Sequence, residues 1–438
     1  MEKMCRNLTH KEGYMKKKLL SVLLCTAIIG TLAAGCSSKK GAEAKPKEDS
    51  RTDSKEITVM VPEWAVPGDD MLDAFTKDTG IDVVMNVVSW DDIRDKVAIA
   101  ASGGTAAADV IEVDWSWVGE MNSAGWLEEI EMTDEDKADM PTLETFSIDG
   151  KVLAVPYAND YRIAYYNKEH FKAAGIEKAP ETWDEVYDAL KKIKDAGIVE
   201  YPYTMPMNAD ESATTSMMWM AFSRSGQVFN DDGTLNKEAV SDALEFEKKL
   251  VDEGFTDPAS KTASGMDAYR KLTAGEASFM AGPTKFVGIS NNEEECSVVG
   301  QIEAILLPGK DGTSPQTMPL PEAVGITKFS QNKDAAKEFV KWYTSADTQK
   351  ELYLANSSIP TRNSVLGGLI DDGTIQNAGA MLDEAKLIKS PFPNGIPSYY
   401  SEMSNAIYNN VNKMVLGEIS AQEAFDAMDK KVTELAGN

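Results

Sequence analysis

ITVMVPEWAVPGDDMLDAFTKDTGIDVVMNVVSWDDIRDKVAIAASGGTAAADVIEVDWSW, residues 57–117, decides the fold. Short apolar runs rich in Val and Ile at Ile57–Val61, Ile81–Val88 and Asp109–Val113 read as buried strands. Between them lie two stretches with helical spacing: Asp69–Thr79, which turns Met71, Leu72 and Phe75 to one side, and Trp90–Ala101. Strands alternating with helices at this spacing argue for parallel βαβ units. In open sheets of that kind the loops leaving the carboxyl ends of the strands hold ligands. Glu63–Trp64 and Asp114–Trp117 occupy such loops, and Gly282–Phe286 follows a later predicted strand.

Outward from this stretch, the pattern predicts further helices at Trp183–Ala196, Ala239–Glu253, Met266–Ala274, Lys333–Thr344 and Ala421–Leu435. Further strands are expected at Val152–Pro156, Ile163–Tyr166, Ala277–Met280 and Val324–Thr327. Ahead of it, residues 37–56 hold no aromatic and no aliphatic side chain larger than Ala. Such a segment cannot offset its ordering entropy and is expected to act as a tether, reaching roughly 25 Å on average.

The 438 residues carry a formal charge of −27. The first 35 contribute Lys3, Arg6, Lys11, Lys16, Lys17 and Lys18 against only Glu2 and Glu12, so the remainder is more acidic still. Nucleic acid is therefore not an expected partner, because phosphate neutralisation needs basic patches. Beyond residue 35 the only cysteines are Cys36 and Cys296, and the only histidine is His170, in the helix-like stretch Asn167–Ala174. Cys296 is expected to be a buried free thiol.

The usual enzyme signatures are missing: no H-E-x-x-H, C-x-x-C, G-x-S-x-G or P-loop occurs, and no cofactor or metal is expected. Asn230, Asp231, Asp232 and Gly233 lack calcium-loop spacing and read as a turn. A carboxylate pair for glycoside hydrolysis is an alternative the sequence cannot single out. What stands out is Trp64 beside Glu63 and Trp115 beside Asp114, both after strands. A flat indole offers an apolar face to a sugar ring while carboxylates accept from hydroxyls. Core packing competes with that role for Trp117, and for Trp219 in the Met-rich Met217–Phe222. Trp90, Trp126, Trp183 and Trp342 read as packing residues.

Two resemblances add to this. Lys16–Lys18, the apolar run Leu19–Ala34, then Gly35 and Cys36 form a secretory signal that resembles the lipobox of bacterial lipoproteins, with Leu32 one place earlier than usual. The resemblance implies cleavage before Cys36, lipidation of its thiol, and a protein anchored by lipid on the extracellular face of the membrane. Met15 is the more natural start, since signal peptides open on their basic cluster. Four stretches, Ala108–Ile130, Gly150–Ile176 followed by Thr182–Ile193, Lys271–Ile289, and Val324–Tyr353 leading to Ile359–Val365, together resemble the family 1 extracellular solute-binding proteins of ABC importers, the maltodextrin-binding type.

That family implies an α/β, two-lobed periplasmic-binding-protein fold of type II, with a ligand cleft between the lobes. The expected division is a signal at 1–35, a lipidated tether at 36–56, a first lobe of 57–159 plus 324–375, and a second of 160–323 plus 376–438. Pro156–Arg162 would be the first crossing, placing Tyr157, Asn159, Asp160 and Arg162 at the cleft floor, and Leu320–Ala323 the second, placing Glu322 there. Thr284 would line the second lobe, with the family's aromatic either missing or displaced to Phe286, and Tyr399 or Tyr400 would stack from a late loop. Arg362 either reaches the cleft or pairs with a surface acid.

The expected ligand residues are thus Glu63, Trp64, Asp114, Trp115, Tyr157, Asp160, Arg162, Trp219, Thr284, Glu322 and Tyr399. The implied function is non-catalytic: a monomer closes on a solute, expected to be a carbohydrate, and delivers it to ABC permease subunits. The alternatives are a polyamine, for which Glu63, Asp114, Asp160 and Glu322 could supply charge, a sugar phosphate or peptide, or an adhesin without transport.

Overall fold

The computed structural model describes residues 55–376 and 378–437. The signal segment, Cys36 and the tether up to residue 54 lie outside the described residues. β1 (Lys55–Val61), β2 (Ile81–Val87) and β3 (Val110–Asp114) run parallel, with β1 in the middle. The helices Asp69–Thr79 and Trp90–Ser102 connect them, as the alternating pattern requires. Helix and strand limits fall within one or two residues of expectation here, and β1 takes in Lys55 and Glu56 from the expected tether.

Further along come β4 (Ser147–Ile148) and β5 (Lys151–Val152), a small hairpin turning at Asp149 and Gly150 with φ of 52° and 78°. Positive φ at both central residues matches the right-handed strand twist. β6 (Ala154–Ala158) and β7 (Arg162–Asn167) follow in quick succession but join different sheets. β7 sits between β8 (Phe279–Pro283) and β9 (Ile302–Ile305) in an antiparallel three-stranded sheet. β10 (Glu322–Ile326) returns to the first sheet, antiparallel to both β3 and β6, giving the order β2-β1-β3-β10-β6. The chain therefore passes between the two sheets at residues 158–162 and again before Glu322, and Tyr161 bridges Pro319 where the two passages meet.

One face of the first sheet buries Val59, Val61, Val324 and Ile326 under Phe339 and Tyr343. Those two rings, four residues apart on the helix Lys333–Tyr343, stack 5.5 Å apart. The second lobe is built around the helix Glu211–Ser225, buried at every position from Ala213 to Ser223. Its Trp219 stacks 5.6 Å from Trp183, whose indole N–H donates to Ser223 Oγ at 3.0 Å. The helix Trp183–Asp195 starts on a capping box between Thr182 and Glu185, as its T-W-D-E sequence suggests. Tyr161, Met280 and Phe286 form a third cluster with Leu366 and Leu369 of the helix Asn363–Asp371. Cys296 is buried and free. No helix among the described residues is long and apolar enough to cross a membrane.

Candidate functional site

The carboxyl ends of β1, β2 and β3 open onto a cleft of about 750 Å³. β1 delivers Glu63 and Trp64 on a single turn of 3-10 helix. Trp64 is 44% exposed yet fixed: its ring N–H donates to Glu322 Oε2 at 2.8 Å and its carbonyl accepts from Asn356 Nδ2 at 2.7 Å. Lys285 Nζ lies over the ring, 6.0 Å from its centroid.

Asp114 ends β3 directly across from Glu322 on β10. Its Oδ1 accepts from the amide and hydroxyl of Ser116. Burial nevertheless pushes the Asp114 carboxyl up to about 8, and Glu322 and Glu211 push the same way against the Ser116 bonds. Glu322 is likewise raised by burial, with Lys285 pulling it back. Glu211 opens the long buried helix, accepts from the hydroxyls of Tyr400 and Ser404, and is raised to about 7 by burial.

Across the cleft, Arg162 at the start of β7 donates to Asp160 Oδ2 at 2.7 Å. Burial works against the guanidinium charge, but Asp160 outweighs it and the group is held above its ordinary value. The other Asp160 oxygen accepts from the Thr284 amide at 3.0 Å, while the Thr284 hydroxyl donates to the Asn159 carbonyl. The pair thus straps β7 to the turn after β8.

Of the expected residues, Glu63, Trp64, Asp114, Trp115, Asp160, Arg162 and Glu322 line this one cleft. Trp115 does so as a wall: it is 4% exposed, with Tyr400 at 5.0 Å and Phe392 at 6.3 Å between ring centroids. The other four expectations are corrected. Tyr157 is buried beneath Glu322 and donates toward carboxylates rather than a ligand. Thr284 is fully buried because its hydroxyl and amide are spent on the crossing. Trp219 lies in the core, 1% exposed and stacked on Trp183, on the part of its helix that the cleft does not reach. Tyr399 precedes the helix Tyr400–Leu416 and turns its hydroxyl toward Gly233, so Tyr400 meets Trp115 instead.

Other readings resolve too. Trp117 packs on Trp90 at 4.8 Å, and Trp90 itself reaches the cleft edge. Phe286 is buried beside Tyr165 and Tyr269. Arg362 pairs with Asp136 and Asp139. His170 is half-buried against Ser278 Oγ at 2.9 Å.

The sequence reading missed Glu211, Asp210, Lys285 and Ser264–Met266, the start of the helix Gly265–Thr273, all on the cleft. The signal for the first two was an Asp cap, since Asp210 accepts from the Ser212 amide, ahead of a run with no polar face to mark it as a helix. Among the described residues no cluster of three His, Cys, Asp or Glu could hold a metal ion. A second cavity, also about 750 Å³, lies behind Trp115. It is bounded by the helix Val118–Ser123 and the loop reaching Ser398, where Gly119 is pressed against the Ile396 carbonyl.

Residues 63–350 match the family model described as bacterial extracellular solute-binding protein. A maltooligosaccharide ABC transporter solute-binding lipoprotein of Streptococcus pneumoniae is 23% identical over 421 residues, spanning 91% of this chain and 93% of its own. A probable amino-acid ABC transporter periplasmic-binding protein of Sinorhizobium fredii is 27% identical over 315 residues, 67% of this chain and 68% of its own. Maltose-bound MalE3 of T. maritima superposes with a TM-score of 0.74 at 24% identity, over 87% of this chain and 99% of that one, a likeness of fold.

Proposed function

Because the chain belongs to the bacterial extracellular solute-binding protein family, we propose that it is the solute receptor of an ABC importer and that its cleft takes a carbohydrate. The observation that carries the choice of solute is Trp64: a half-exposed indole fixed by its bond to Glu322 and lining the cleft beside Glu63. Sugars present C–H faces to such a ring and hydroxyl donors to such carboxylates. The sugar specificity in the name of the pneumococcal relative supports this reading.

Binding on one lobe and closure of the other shifts the population toward a closed form that docks on permease subunits. The lobe limits near residues 159 and 323 belong to this proposal, supported by the crossings on either side of Tyr161. So do the lipid on Cys36, the monomeric state and the absence of catalysis. A lipid anchor would hold the receptor at high effective concentration beside its permease. A lipoprotein among the relatives supports it.

A second reading, a cationic solute such as a polyamine or amino compound, is favoured by one observation. The cleft is lined by six acids against two bases, and one of those bases, Arg162, is already paired.

Thermal unfolding in the presence of mono- and oligosaccharides, amino acids and polyamines tests both. A ligand at a hundred times its dissociation constant adds about 2.7 kcal/mol. A response to sugars is expected; silence to all of them with a response to spermidine overturns the carbohydrate reading. For the anchor, Cys36→Ser is expected to move the protein from the membrane fraction to the medium.

A further inference from the structure

Two carboxyl groups contend for one phenol beneath the cleft floor. On β6, Pro156 pairs with Ala323 and Ala158 with Glu322, which leaves Tyr157 as the extra residue of a bulge. A bulge re-aims a side chain, and here it sends the Tyr157 ring under the floor, 1% exposed. Its hydroxyl lies 3.0 Å from Glu112 Oε2 and 2.8 Å from Glu322 Oε2. A phenol has a single hydrogen to give, and ionised carboxylates only accept. With both acids ionised, one of these contacts would set a carboxylate against the phenol's lone pairs. Both are hydrogen bonds only when one carboxyl keeps its own hydrogen and donates it to the Tyr157 oxygen.

The surroundings decide which one. Glu112 is fully buried and its Oε1 has no hydrogen-bond partner. The groups that face it are Asp114 on its own strand, Glu322 on β10, Tyr157 on β6 and Tyr343 from the helix Lys333–Tyr343: acids and phenols, with no cation. Glu322 opens to the cleft, accepts from Trp64 on the same oxygen that meets Tyr157, and feels Lys285. Charge is best supported on Glu322 and least supported on Glu112.

We propose that Glu112 stays protonated in the folded protein at neutral pH and donates to Tyr157, which donates to Glu322 and so presents Glu322 to the cleft as a fixed anionic acceptor. Glu112 is then a positioning residue. With Oε2 engaged by Tyr157 and Trp64, Glu322 Oε1 is left for the occupant of the cleft. Only that last consequence rests on the proposed function; the placement of the proton does not.

Infrared difference spectroscopy on the unliganded full-length protein at neutral pH tests the placement. Subtracting wild type from Glu112→Gln is expected to give a negative band in the protonated-carboxyl C=O region. Glu322→Gln is expected to lose carboxylate bands instead. A protonated-carboxyl band lost in Glu322→Gln, or in neither variant, overturns the proposal.

Thermal unfolding gives a second readout. Burial and its acidic neighbours hold Glu112 well above the ordinary 4.5, so wild type loses stability as pH rises past that value. Glu112→Gln, whose amide still donates to Tyr157, is expected to gain in melting temperature relative to wild type from about pH 5 to about pH 8. A difference that stays constant with pH overturns the proposal. Should Glu112→Gln not fold, Tyr157→Phe asks the same question, since it strips the Glu112 hydrogen of its acceptor. The C=O band is then expected to move to higher frequency, and an unmoved band counts against the assignment.

Discussion

The two walls of the cleft hold their charges in opposite ways. On the side of the three-stranded sheet, Asp160 meets Arg162 and the Thr284 amide, so its oxygens are satisfied within the protein. On the side of the five-stranded sheet, Asp114 and Glu322 stand opposite one another with Glu112 behind them, and burial raises all three. The first wall is a strap whose polar capacity is spent on architecture. The second keeps acceptor capacity unspent in a desolvated place, which is what a binding surface for hydroxyl or ammonium donors needs.

The largest expected break in this contrast is Trp115→Ala. It would empty the space between Tyr400 and Phe392 and remove about 3–5 kcal/mol, measured by urea unfolding. A loss no larger than that of a surface substitution would mean that Trp115 is not a wall. Arg162→Met comes next. It leaves Asp160 without its cation, and because that side chain is 26% exposed the expected loss is at the lower end for a broken buried pair, about 3 kcal/mol.

The buried acids around the cleft make a pH prediction of the opposite kind. Asp114 lies at about 8 and Glu211 at about 7 in the folded protein, above their ordinary 3.8 and 4.5. The folded state therefore holds protons the unfolded chain has released. The contribution of these groups is fully present below about pH 4 and is lost as pH rises toward about 8. Asp114→Asn is expected to flatten the slope of unfolding free energy across that window. Equal slopes in wild type and Asp114→Asn would refute it.

Gly119→Ala tests a contact outside both walls. An added Cβ would collide with the Ile396 carbonyl, a backbone atom that cannot rotate away, so the loop must shift at a cost of about 1–3 kcal/mol. The smallest stability effect belongs to Trp64→Ala. The residue is 44% exposed, so the expected change is within about 0.5 kcal/mol, while sugar affinity drops at least tenfold by calorimetry. Unchanged affinity would remove Trp64 from the site.

Much of this was legible in the sequence where local pattern and topology coincide. Parallel strands end where ligands bind, so Glu63, Trp64, Asp114 and Trp115 could be named from strand spacing alone, and all four line the cleft. Asp160, Arg162 and Glu322 followed from the family resemblance, and the crossings place them there. Trp219 misled because its helix is buried at every position from Ala213 to Ser223, small polar residues included, so the pattern does not mark which side meets a cavity. Tyr399 missed by one residue, about 100° of rotation at a helix start, which is finer than a loop motif resolves. The Tyr157 bulge is a matter of register between strands far apart in the chain, and neither strand announces it.

The place of β10 in the first sheet has a consequence for the order of folding. β6 has no partner in its sheet except β10, and β3 meets β10 on one edge. Until residues 322–326 are available, two strands made much earlier keep open edges, and the first lobe cannot complete its sheet. Such long-range pairing is slow to form. The first sheet is therefore closed by a strand that arrives only after nearly three-quarters of the sequence.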